Sequence, residues 1–98
     1  TGDNITAEEA LAAGMLVQVT PVGGAVDAAI ALAERVARNA PLAVAASKQI
    51  IKAASQGYDE AELWEMQRPL QAKVFRSNDA KEGPTAFAEK REPNWTGT

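Results

Sequence analysis

Residues 25–57 read AVDAAIALAERVARNAPLAVAASKQIIKAASQG, and their spacing decides the fold class. Val26, Ala29, Ile30, Ala33, Val36 and Ala37 recur at the i, i+3, i+4, i+7 interval of an amphipathic helix. Such a helix of about 15 residues is roughly 22 Å long. Asn39 is placed to close it, and Pro41, with its φ already fixed near the helical value, suits the first turn of the next helix. That second helix carries Val44, Ser47, Ile51 and Ala54 on one side, with Ala43, Ala46 and Ile50 beside them, and stops at Gly57. The small side chains on this face permit a close helix–helix approach.

Working outward, Asp59 with Glu62 forms a capping box, in which each side chain accepts the other residue's backbone N–H. It opens a long helix whose Leu63, Met66, Leu70 and Val74 face inward, and Pro69 predicts a kink or break because it removes the bond to the Glu65 carbonyl. Ser77, Asn78 or Asp79 caps a short turn containing Glu82; Gly83-Pro84 separates that turn from a last helix running through Arg91, and residues 93–98 read as a tail. Toward the other end, Thr6 and Glu9 form another capping box, opening a helix that stops at Gly14. Residues 15–20 alternate as a short strand, which needs a partner outside the chain or survives only as extended loop. The expectation is a mainly α chain of about five helices plus one short strand, divided at residues 1–24 and 25–98.

Composition limits what this chain can do. Of its 98 residues 46% are hydrophobic, but 21 are Ala, leaving 24 larger apolar side chains. Alanine contributes little at about 25 cal/mol per Å² of buried apolar surface, so the helices are expected to lean on other protein. A net charge of −3 argues against nucleic acid, which needs clustered positive charge. The uncharged stretch 15–26 is short and broken by Pro21, Gly23 and Gly24, so no membrane span fits. There is no Cys and no His, which excludes thiolate and imidazole chemistry. The opening Thr1-Gly2-Asp3 reads as interior sequence and shows no secretory signal, so upstream sequence is expected to be missing and a cytoplasmic or matrix setting is the default.

The acidic pairs Glu8/Glu9, Asp59/Glu60/Glu62 and Asp79/Glu82 all fall at helix starts, where negative charge satisfies orphan N–H groups, so capping explains them without acid–base work. Any metal site would have to be built of carboxylates, and none is expected. Gly23-Gly24 lacks a phosphate-loop spacing, and Lys48 with Lys52 makes a solvated stripe. Phe87 and Lys90, three positions apart with Arg91 adjoining, combine an aromatic ring and an ammonium that can hold a stacked base and a phosphate. A packed Phe with a solvated Lys fits the same pattern. Trp95 after Pro93 reads as a hydrophobic plug against a neighbour.

Several segments together carry a family likeness: Thr1-Gly2-Asp3, Ile5-Thr6-Ala7-Glu8-Glu9-Ala10, Ala13-Gly14-Met15-Leu16-Val17, Ser77-Asn78-Asp79-Ala80-Lys81-Glu82-Gly83, Ala86-Phe87-Ala88-Glu89-Lys90-Arg91 and Pro93-Asn94-Trp95. The chain resembles, over essentially its whole length, the C-terminal part of the crotonase superfamily, the enoyl-CoA hydratase/isomerase family. Its ending is most similar to the carnitinyl-CoA dehydratase type. The resemblance implies a ββα spiral core that binds acyl-CoA, and a helical C-terminal region that packs on it and builds trimers, often paired as hexamers. Residues 1–24 would then end the core and 25–98 form the oligomerisation region.

The implied activity is that of a lyase of lipid and fatty acid metabolism, adding water reversibly to a 2-enoyl-CoA. Isomerase or dehydratase variants stay open, as does a non-catalytic helical interaction module. The family's oxyanion-hole N–H groups and paired Glu residues lie upstream of the TGD segment, so no catalytic residue is assigned here and the isolated chain is expected to be inactive. Phe87 and Lys90 match positions that in related enzymes contact the adenine and phosphate end of CoA bound mainly to an adjacent subunit. Coenzyme A enters as part of the substrate, with no separate cofactor. Arg91 is expected to assist or to pair with Glu89 or Glu92. Phe75 and the helix over 63–74 are expected to border the acyl pocket, with Pro69 shaping that boundary.

Overall fold

The computed structural model describes residues 2–98; Thr1, the first residue of the TGD opening, lies outside the described residues. Five helices follow in order: α1 (Ala7–Ala12), α2 (Ala25–Ala37), α3 (Pro41–Ser55), α4 (Glu60–Phe75) and α5 (Asp79–Glu89). The chain divides into two compact units, one ending at Glu34 and the other Arg35–Thr98.

In the first unit the Thr6 capping box forms as expected: the Thr6 N–H donates to Glu9 Oε2 at 2.7 Å and the Glu9 N–H to Thr6 Oγ1 at 3.1 Å. The helix ends with the Gly14 N–H on the Leu11 carbonyl and the Met15 N–H on the Ala10 carbonyl, a closure that requires the positive φ Gly14 adopts. The expected strand is absent: among the described residues there is no strand, and 15–20 runs as irregular chain with Met15, Leu16, Val17 and Val19 exposed. Alternation alone cannot hold a strand whose backbone groups have no ladder to join. The stripe predicted for α2 does form a helix, yet Val26, Ile30 and Val36 on it stay exposed.

In the second unit, Asn39 ends α2 as expected, its amide donating to the Arg35 and Val36 carbonyls. Helix α3 begins on Pro41, closes through Gly57 and packs against α4. On α3, Leu42, Ala43, Val44, Ala46 and Ile50 are half-buried and Ala53 is buried. Facing them, Leu63, Met66, Leu70 and Val74 of α4 are half-buried, the inward stripe expected from their spacing. The second capping box is present, the Glu62 N–H donating to Asp59 Oδ1 and the Asp59 N–H to Glu62 Oε2, both at 2.9 Å.

Three local expectations are corrected. Helix α4 continues through Pro69 without a break; Pro69 and Glu65 are both exposed, so water can serve the orphaned carbonyl while the apolar stripe holds both halves. Gly83-Pro84 does not separate two pieces but lies inside α5. A Cβ at Gly83 would stand 3.3 Å from Trp95 Cη2, so this glycine makes room for an indole rather than ending a helix. Residues 93–98 are no loose tail: the Trp95 indole N–H donates to the Arg38 carbonyl at 2.7 Å, and the Asn78 N–H donates to the Thr98 carbonyl at 2.6 Å.

Candidate functional site

The site of interest is the C-terminal end of α5, built outward from Asp79. This carboxylate is only 3% exposed. Its Oδ1 accepts from the Thr96 N–H at 2.8 Å and the Thr96 hydroxyl at 3.1 Å, and its Oδ2 accepts from the Gly97 N–H at 3.0 Å. Those bonds, led by the Thr96 N–H, hold its carboxyl below the usual carboxylate range. Of the three capping candidates Ser77, Asn78 and Asp79, it is Ser77 that does the work: its hydroxyl accepts from the Ala80 N–H at 3.1 Å and donates to the Val74 carbonyl at 2.7 Å.

Glu82 lies one turn on and is tied more strongly. The Arg91 guanidinium grips it with two bonds, Nη1 to Oε1 at 2.6 Å and Nη2 to Oε2 at 3.0 Å, and the Asn94 N–H adds a third to Oε1 at 2.7 Å. The fork geometry of Arg on carboxylate is the strong form of this interaction. It lowers the Glu82 carboxyl from 4.5 to about 2, the Arg91 bonds contributing most and the Asn94 N–H next. Arg91 also bonds Glu89 through Nε at 2.6 Å, one of the partners expected for it, and donates to the backbone carbonyl of Glu92 rather than its side chain. Glu82 was not foreseen as its partner, since nine positions of chain separate the two.

Phe87 and Lys90 lie in the chain between Glu82 and Arg91. Phe87 is 87% exposed within this chain. Lys90 is exposed and takes part in no ion pair among the described residues. Its backbone is left-handed, φ 56° and ψ 38°, where the Lys90 N–H meets the Phe87 carbonyl and the Arg91 N–H meets the Ala86 carbonyl. An apolar ring and an unpaired ammonium therefore share the solvent-facing end of one helix, a pairing that suits an aromatic base carrying phosphate.

Two grooves flank α3. One of about 240 Å³ is lined by Ala43, Ala46 and Ile50 of α3 and by Leu70, Val74 and Phe75 of α4. A second, of about 550 Å³, is lined by Ala37, Asn39, Pro41, Val44, Ala45, Lys48 and Gln49. The first is lined by Phe75, the last residue of α4; neither includes Phe87 or Lys90.

Among its described residues this helical chain buries no large side chain completely. The chain belongs to the enoyl-CoA hydratase/isomerase family, whose sequence profile matches residues 1–98. Among its relatives, enoyl-CoA hydratase EchA19 of Mycobacterium tuberculosis is 44% identical over 97% of this chain and 35% of that protein. The carnitinyl-CoA dehydratase of Proteus mirabilis is 43% identical over 99% of this chain and 38% of its own length. The crystal structure of enoyl-CoA hydratase EchA1 from Mycobacterium marinum superposes with a TM-score of 0.90 at 53% identity, covering all of this chain and 40% of that one. The five helices are thus the C-terminal helical part of a crotonase-type fold, and the chain spans well under half of the relatives it matches.

Proposed function

We propose that this chain is the C-terminal part of an enzyme that adds water reversibly across the double bond of a 2-enoyl-CoA thioester. In that reaction hydroxide character is delivered to Cβ and a proton to Cα, while negative charge builds on the thioester oxygen. That charge calls for preorganised N–H donors. The proton traffic calls for positioned carboxylates. The carboxylates of this chain with the strongest partners, Asp79 and Glu82, are held in the charged form by structural bonds and are poor candidates for proton transfer. The role assigned here is therefore binding and assembly, with the reacting groups supplied by the rest of the enzyme and no turnover of crotonyl-CoA by the isolated chain. What supports the reading above all is family membership along the entire chain at about two fifths or less of its relatives' length.

Within it, Lys90 binds the phosphate or ribose portion of CoA and Phe87 supports the adenine. The exposed apolar residues, Ile51, Trp64 and Phe75 among them, are covered by the enzyme's core or by further copies in a trimer or hexamer. Identity to a carnitinyl-CoA dehydratase nearly equals that to a hydratase, which favours a second reading: the same addition run predominantly in the direction of water loss.

The test is Lys90→Ala in the full-length enzyme. A contact remote from the reacting atoms supplies binding in ground and transition states alike, so KM for the acyl-CoA should rise about tenfold with a smaller fall in kcat. An unchanged KM removes Lys90 from the CoA site.

A further inference from the structure

Lys90 is the one residue among those described, glycines aside, that holds a positive φ. A side chain in that region is sterically disfavoured, and such a conformation persists where its surroundings over-determine it. Helices α1 and α3 close with the same pair of backbone bonds but give the left-handed position to Gly14 and Gly57. Backbone bonding alone therefore does not explain a lysine at the equivalent place in α5.

What sets the α5 turn apart is the grip on its next residue. Glu82, its side chain only 20% exposed, holds Arg91 through both carboxylate oxygens and also accepts the Asn94 N–H. A single carboxylate thus ties the first half of α5 to the residue after Lys90 and to the segment beyond it. Arg91 is neutralised by Glu82 and Glu89 together, which leaves Lys90 as the cation of this turn free to meet an anion.

We propose that Glu82 is a positioning residue: by fastening Arg91 and the Asn94 backbone it holds the left-handed turn at Lys90 and so aims the Lys90 ammonium, relative to the Phe87 ring, at the phosphate end of the ligand. The aiming role rests on the reading that Lys90 and Phe87 touch CoA; the holding of the turn does not. A glutamine keeps the length of Glu82 but puts an amide donor against guanidinium donors, so Glu82→Gln breaks the fork with little change of volume.

The experiment uses the full-length enzyme in two measurements. A crystal structure of the Glu82→Gln protein should show Lys90 leaving the positive-φ region. Steady-state kinetics with crotonyl-CoA should show KM raised about three- to tenfold with a smaller change in kcat, and no further rise when Glu82→Gln is added to Lys90→Ala. Arg91→Lys, which keeps the charge and loses the fork, should give the same pattern and serves if the first variant does not fold. Lys90 retaining its positive φ in either variant overturns the proposal, as does a KM increase that persists in full on the Lys90→Ala background. Lys90→Ala alone leaving KM unchanged rejects the CoA contact, and with it the aiming role; the φ of Lys90 still decides whether Glu82 holds the turn.

Discussion

Asp79 and Glu82 both have carboxyls depressed by bonds to the C-terminal segment, Thr96 and Gly97 for the one, Arg91 and Asn94 for the other. A depressed carboxyl favours the folded state above the ordinary carboxylate pKa, and that contribution disappears as pH falls through the folded value. For Glu82 the window opens at 4.5 and closes at about 2. The hold on residues 93–98 should therefore be intact at neutral pH and loosen as pH falls across that window. The Trp95 indole N–H, bonded to the Arg38 carbonyl, reports it by NMR. Its signal should be at full strength above about pH 4.5 and weaken progressively as pH falls toward about 2; loss at neutral pH, or no weakening by pH 2, contradicts the assignment. None of this was legible at the residue scale in sequence. Asp79 and Glu82 look like ordinary first-turn acids, and their partners stand 9 to 18 positions away, beyond the reach of any local pattern. Thr6 with Glu9 and Asp59 with Glu62 were legible because each pair closes within three positions.

At the scale of elements, apolar spacing predicted α2, α3 and the inward stripe of α4, and glycine placed the ends of α1 and α3. Breaker residues misled at two points. Pro69 and Gly83-Pro84 are read locally as stops, but the Leu63, Met66, Leu70, Val74 stripe lies against α3 on both sides of Pro69. Packing outweighs the propensity of one residue. Gly83 answers to Trp95, a residue 12 positions later. Because α4 already runs through Pro69, Pro69→Ala should restore the bond to the Glu65 carbonyl and stabilise the folded enzyme by about 1–2 kcal/mol. Thermal unfolding of the intact protein checks this: a raised Tm is expected, and a lowered Tm would mean that the ring makes contacts the helix needs. If the α4 face borders the acyl pocket, the same variant should also change preference among acyl chain lengths.

Taken whole, the molecule buries very little. Ala10, Ala53 and Ala86 are its only buried apolar residues among those described, while Val22, Ile51, Trp64, Phe75 and Phe87 are exposed. The accessible surface is 7923 Å², where a folded monomer of this mass presents about 5400 Å². The shortage of bulky side chains predicts this low burial, since 21 alanines fill helix faces without filling a core. What the sequence could not convey is which faces remain uncovered, because that depends on protein outside the chain. No helix among the described residues is long and apolar enough to cross a membrane.

The dependence itself is open to direct measurement by scanning calorimetry of the isolated 98-residue chain. A self-sufficient domain of about 100 residues unfolds in one sharp transition absorbing roughly 60–80 kcal/mol. The account predicts a broad, weakly cooperative melt with much less heat, and a single sharp two-state transition of full enthalpy in the monomer would contradict it.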